Sequence, residues 1–168
     1  MNTILRKWRL EDAKLLAEML NNKKIQDNLR DGLPFPYTEK DASGFIHDML
    51  AADPTQTFAF AITNTDDQAI GSIGAFRCEN IHRQTAEMGY YLAEEYWGRG
   101  FGTRAVKELT DYLFAETDII RIFAEPFTTN HGSCRVLEKC GFQLEGTLRK
   151  NAIKNGEIKD MQMYALIK

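Results

Sequence analysis

The stretch YLAEEYWGRGFGTRAVKELTDYL, residues 91–113, decides how the rest of the chain is read. Gly98, Gly100 and Gly102 stand on alternate positions, and an amphipathic pattern follows at once. Ala105, Val106, Leu109, Tyr112 and Leu113 fall on one face of a helix expected over about 102–115. A glycine-rich turn that opens a helix aims several backbone N–H groups at one point, which suits a phosphate. A Walker loop is excluded, because no Lys-Ser or Lys-Thr pair follows these glycines. The dinucleotide fingerprint G-x-G-x-x-G also fails: Gly98 and Gly100 fit, but the third glycine position is Thr103. On the glycines alone two readings stand, a phosphate cradle and a tight strand-to-helix connection without a ligand.

Outward from this stretch the periodicities define the remaining elements. Residues 84–93 read as a strand entering the glycine loop, and 119–126 as a short β-branched strand ended by Pro126. Asn130 is placed to cap a helix whose buried face is Val136, Leu137 and Cys140, with Gly141 just past its end. Upstream, 57–62 and 70–76 read as strands joined by the polar turn 64–67. A first strand over 4–10, a helix over 11–21 and a helix over 38–50 capped by Thr38 precede them. FQLEGTLR and IKDMQMYALI form a closing antiparallel pair. The order β-α-α-β-β-β-α-β-α-β-β predicts a mixed α/β fold. Its sheet is mostly antiparallel, with one right-handed parallel βαβ crossover, and is not doubly wound.

The 168 residues suit one domain over 1–168. A net charge of −3 argues against a general nucleic-acid binder. No apolar run reaches the length of a membrane span, and the N-terminus lacks a secretory pattern, so a cytoplasmic location is expected. The three cysteines fit neither a disulfide framework nor a zinc site; Cys78 and Cys140 read as small core residues. His47, His82 and His131 are too scattered for a sequence-local metal cluster, and no metal is expected.

Several ordered segments then carry a resemblance. AEMGYYL precedes YWGRGFGTRAV, a strand ending in AEPFTTN follows, then NHGSCRVLEKCGF, then GTLRKNAIKNGEIKDMQMYAL. In this order the chain resembles the GNAT superfamily of acetyl-CoA-dependent N-acetyltransferases, and within it the RimJ/RimL-type branch. The resemblance implies a GNAT-like sheet with a splayed pair of central strands and helices on both faces. It implies that residues 98–102, with Thr103, hold the pyrophosphate of acetyl-CoA, the contacts being mostly main-chain. Trp97 stands where the general pattern has Gln or Arg. Arg99 is either a cationic phosphate contact or a solvated surface arginine, and Phe101 lies within the loop frame. Backbone groups near Tyr91, Leu92 and Ala93 are expected to hold the pantetheine arm. A main-chain N–H at Tyr91 or Leu92 would polarise the thioester. Asn130 is expected to bond the arm from the far side.

Acetyl transfer needs a neutral amine, an aligned thioester and charge stabilisation. Glu87, mid-strand among apolar residues, is the candidate base, its pKa expected to rise with partial burial. Its alternative is to orient a neighbour or the substrate cation. The usual tyrosine acid position is Leu137, which leaves Ser133 as the candidate proton donor, unless the thiolate leaves unaided. Phe35, Tyr37 and Tyr90 are either walls of an acceptor pocket or ordinary core. The acceptor is a primary amine, on a protein N-terminus or on a small molecule such as a polyamine, amino acid or antibiotic. A homodimer is compatible with the resemblance. The alternative from another class is a catalytically degenerate CoA-binding sensor or interaction module. A nucleotide-binding protein is disfavoured by the missing Lys-Ser/Thr pair.

Overall fold

The computed structural model describes residues 3–168. Seven strands form one sheet: β1 (Leu5–Arg6), β2 (Thr57–Thr63), β3 (Ala69–Arg77), β4 (Thr85–Leu92), β5 (Arg121–Ala124), β6 (Gln143–Lys154) and β7 (Glu157–Ile167). Their spatial order is β1-β2-β3-β4-β5-β7-β6. All neighbours are antiparallel except β4 and β5. The helices are α1 (Ala13–Leu20), α2 (Lys23–Gln26), α3 (Glu39–Ala51), α4 (Phe101–Glu116) and α5 (His131–Lys139). This is the expected mixed sheet, with α4 supplying the parallel crossover.

Strand alternation sorts side chains onto two covered faces. Phe58, Ile62, Ile73, Ala75, Met88 and Leu92 meet Val106, Leu109 and Leu113 of α4 and Leu137 of α5. On the other face Ala61, Ala69 and Ala93 meet Leu16 and Leu20 of α1, and Ala42 and Ile46 of α3. Thr38 caps α3 reciprocally: its Oγ1 accepts the Asp41 N–H at 3.2 Å, and the Asp41 carboxylate accepts the Thr38 N–H at 2.8 Å. Asn130 Oδ1 accepts the Ser133 N–H at 3.2 Å to start α5, and Gly141, at φ +87°, ends it.

Three expectations are corrected. The first strand shrinks from 4–10 to Leu5–Arg6, and a 3-10 turn follows at Leu10–Asp12. The buried Asp12 carboxylate causes this, accepting two Arg6 guanidinium bonds at 2.8 Å and the Arg9 N–H at 2.9 Å. The short α2 was not anticipated; Asn22 caps it through the Lys24 N–H at 2.9 Å. Cys78 is only half-buried and stands apart from the core, Cys140 packs against the core while half-buried, and Cys134 is the buried thiol, because it shares the inward stripe of α5 with Leu137 three residues on. No described helix is long and apolar enough to cross a membrane.

β4 and β5 pair over only three positions, Thr85↔Arg121, Ala86↔Ile122 and Glu87↔Phe123. β4 runs on to Leu92 paired only with β3, so the sheet opens past Glu87.

Candidate active site

Which β4 groups face that opening follows from the ladder. Ala93 N–H bonds the Ile70 carbonyl at 2.9 Å and Cys78 N–H bonds the Thr85 carbonyl at 2.8 Å. Along an antiparallel pair such bonds fall on alternate residues. The odd residues of β4, Tyr91 among them, therefore turn their main chain toward β3. Met88, Tyr90 and Leu92 turn theirs toward the opening. The Leu92 carbonyl is taken by Trp97 Nε1 at 2.9 Å. Of the two main-chain donors expected from the sequence, Leu92 N–H is the one aimed at the gap; Tyr91 pairs with Ser72.

The glycine loop lies just beyond. Gly98 and Gly100 have φ of +69° and +85°, angles that side-chain-bearing residues avoid. A Cβ built at either would meet nothing within 4 Å, so the loop faces open space. Gly100 is the N-cap of α4, and the Arg104 N–H makes a turn-closing bond to its carbonyl at 3.0 Å. The amides of residues 101–103 precede that bond, at the positive end of a 16-residue helix. These main-chain donors and the open space before them fit a diphosphate. Arg99 lies over the rings of Tyr96 and Phe101, at 5.2 and 6.0 Å from their centroids. Gly102 sits in the first turn of α4, where an added Cβ would lie 3.6 Å from Leu92, Tyr90 and Val136. Thr103, one residue on, accepts the Cys140 thiol on its carbonyl at 3.3 Å. The loop is thus seated directly against the gap.

A cavity of about 420 Å³ passes through the sheet at the gap. Its lining includes Glu87 and Tyr91 from the α1/α3 side and Tyr90, Asn130 and Ser133 from the α4/α5 side. The Tyr90 hydroxyl and Ser133 Oγ are 3.2 Å apart. Burial pushes the Tyr90 phenol up to about 12, a rise that its hydrogen bond to Ser133 only partly offsets. Tyr91 is raised as well, chiefly by burial. Leu137 is fully buried in the core, outside this cavity.

Glu87 is one of two carboxylates here. Arg30, from the segment after α2, forms an ion pair with Glu87 and comes within 3.8 Å of Glu125 Oε2. Burial, and then the neighbouring Glu87 carboxylate, raise the Glu125 pKa, while Arg30 opposes the rise. Tyr37 lines the cavity, whereas Phe35 is 56% exposed beneath Lys23 and lies outside it. Sequence reasoning missed Glu125 and Arg30. The signal for Glu125 was partly available: parallel pairing sets Phe123 level with Glu87, and Glu125, two residues on, shares the face of the sheet that Glu87 occupies. Arg30 sits in an unpatterned segment and gave no signal.

With this geometry in view, likeness to known proteins is informative. Residues 2–143 match the acetyltransferase (GNAT) domain family. Over 168 aligned residues the chain is 31% identical to the uncharacterized N-acetyltransferase p20 of Bacillus licheniformis, covering 98% of this chain and 92% of that protein. It is 26% identical over 156 residues to the spermidine N(1)-acetyltransferase of Vibrio cholerae, covering 92% and 87%. A solved RimL ribosomal L7/L12 α-N-protein acetyltransferase in complex with coenzyme A shares the fold, at a TM-score of 0.86 and 22% identity, covering 97% and 92%. The chain therefore belongs to the GNAT acetyltransferase family and is an N-acetyltransferase.

Proposed function

We propose that this chain transfers the acetyl group of acetyl-CoA to a primary amine by direct attack while both substrates are bound. The carrying observation is the cavity that traverses the sheet at the β4–β5 gap, with Glu87 on one side and Tyr90, Ser133 and Asn130 on the other. Two substrates reach a common point from opposite faces. When bound, acetyl-CoA supplies a thioester carbonyl for the amine to attack. The amides of residues 98–103, with Arg99 near, hold the diphosphate through the helix end. Main-chain groups of Met88, Tyr90 and Leu92 line the path of the arm, the Ala93 N–H being held by the Ile70 carbonyl instead, and Asn130 borders it from α5. Leu92 N–H is aimed where the carbonyl oxygen gains charge.

Glu87 takes the proton of the acceptor ammonium, directly or through water. Tyr90, with its pKa pushed up to about 12, stays protonated. A thiol titrates near 8.5, so full transfer from Tyr90 to the thiolate is uphill. Tyr90 therefore steadies the leaving thiolate as a hydrogen-bond donor, and Ser133 holds its hydroxyl in place. The acceptor falls within the classes named for the relatives, a protein N-terminus or a polyamine, or is another small-molecule amine.

The test is release of free thiol from acetyl-CoA across peptides with different first residues, polyamines, amino acids and aminoglycosides. Glu87→Gln lowers turnover by about 100-fold with coenzyme affinity unchanged, and the loss eases at high pH. An unaltered pH–rate profile removes Glu87 as the base. Coenzyme binding without thiol release on every acceptor selects the sensor reading.

A further inference from the structure

The charged residues lining the cavity are three carboxylates, Asp31, Glu87 and Glu125, and one guanidinium, Arg30. Asp31 is engaged elsewhere, by Lys154 Nζ at 2.7 Å. Glu87 and Glu125 remain as a diacid at the mouth, with Arg30 lying between them. The two carboxylates are well covered, with side chains 31% and 19% exposed, whereas the Arg30 side chain is 69% exposed. The cation comes from outside and rests on a partly desolvated anionic seat.

Its position is built in. Arg30 is flanked by two tethers to the β6–β7 hairpin tip. Asn155 Nδ2 donates to Asp27 at 2.9 Å, and the largely buried Lys154 grips Asp31. The tethers hold the backbone, while the Arg30 side chain itself stays largely in solvent. Ion pairs of such a side chain are cheap to exchange for another cation. Around the diacid the walls are apolar, including Leu29, Leu33, Phe45, Phe76 and Met161. This lining suits an alkyl chain.

We infer that Arg30 occupies, in the free protein, the place of the acceptor's own positive charge, so that Arg30 determines specificity for an alkyl amine of net positive charge. This rests on the acetyl-transfer reading for the identity of the occupant. The acceptor's ammonium replaces the guanidinium on Glu87 and Glu125, and the displaced Arg30 swings to solvent. An acceptor carrying a carboxylate beside its chain meets the diacid unfavourably and is rejected. Arg30 is therefore a built-in competitor whose removal tightens binding. Were it a structural surface pair alone, its loss would leave amine affinity unchanged.

The experiment is calorimetric titration of the coenzyme-free protein with two probes of similar length, 1,4-diaminobutane and 4-aminobutanoate. In Arg30→Ala the dissociation constant for the diamine falls about two- to fivefold, the exchange of one exposed ion pair. Arg30→Lys restores the wild-type value. Glu125→Gln weakens diamine binding about fivefold or more, a second readout should Arg30→Ala fold poorly. Unchanged or weaker diamine binding in Arg30→Ala overturns the inference, as does absence of diamine binding in both. Preference of the wild type for 4-aminobutanoate, lost in Arg30→Ala, also overturns it and makes Arg30 a carboxylate receptor. Thiol release is scored separately. A protein that binds the diamine as described yet releases no thiol refutes the transfer reading and not the charge replacement.

Discussion

At Gly100 the backbone angle, not the space around it, disfavours a side chain: φ is +85° while a Cβ would touch nothing within 4 Å. Substitution is therefore tolerable for the fold and damaging for the ligand. Gly100→Glu adds about 1–2 kcal/mol of left-handed strain. It also turns an attractive helix end repulsive to a diphosphate, worth about 2 kcal/mol or roughly 30-fold. Titration with coenzyme A checks this, and normal affinity in the variant removes the loop from the binding site. Residues of this kind were legible in the sequence because their chemistry is local: glycines at fixed spacing, a cap, a charge amid apolar neighbours. Glu125 and Arg30 were not, because their meaning comes from what stands opposite. Nothing near Arg30 in sequence tells that it lies 57 positions from its carboxylate partner. Leu137 misled differently, since its buried face has no bearing on the cavity. In the mechanism proposed above Tyr90 is the hydrogen-bond donor to the leaving thiolate, a role the sequence did not suggest: there it stood between an acceptor wall and ordinary core.

Elements were legible where a period or a cap specified them. Thr38 and Asn130 start α3 and α5 as read, and the β2–β3–β4 meander falls within a residue or two of its expected bounds. β1 failed because a tertiary ion pair overrode a strand-like pattern. Burial alone would raise the Asp12 pKa, but the Arg6 hydrogen bonds and the Arg9 amide outweigh it, and the net shift is downward. A lowered folded-state pKa gives stability that is present above the unfolded value, near 3.9, and lost as pH falls through the folded value. Asp12→Ala removes both Arg6 bonds and the acceptor of the Arg9 N–H, leaving the Arg6 cation to Asp67 alone, and should cost about 2 kcal/mol at pH 7. The deficit relative to wild type should shrink below about pH 4 as the wild type protonates. Urea midpoints across pH 2–7 check it, and a deficit independent of pH assigns the loss to packing alone.

For the whole molecule, strand order was implied by the crossover, but the hairpin's reach was not. β6 and β7 are 12 and 11 residues long, and their tip returns to the segment after α2 through Lys154–Asp31 and Asn155–Asp27. Lys154→Met should free that segment, so that trypsin cleaves after Arg30 several-fold faster while the global unfolding midpoint moves little. Equal cleavage rates would show that the tether does not restrain the segment. The three-position pairing of β4 with β5 has a mechanical consequence. The sheet is two half-plates riveted along one short seam, and beyond the rivets only the helices keep the plates from flexing. A guest wedged into that crack ties both plates together, so occupancy and stiffness rise as one.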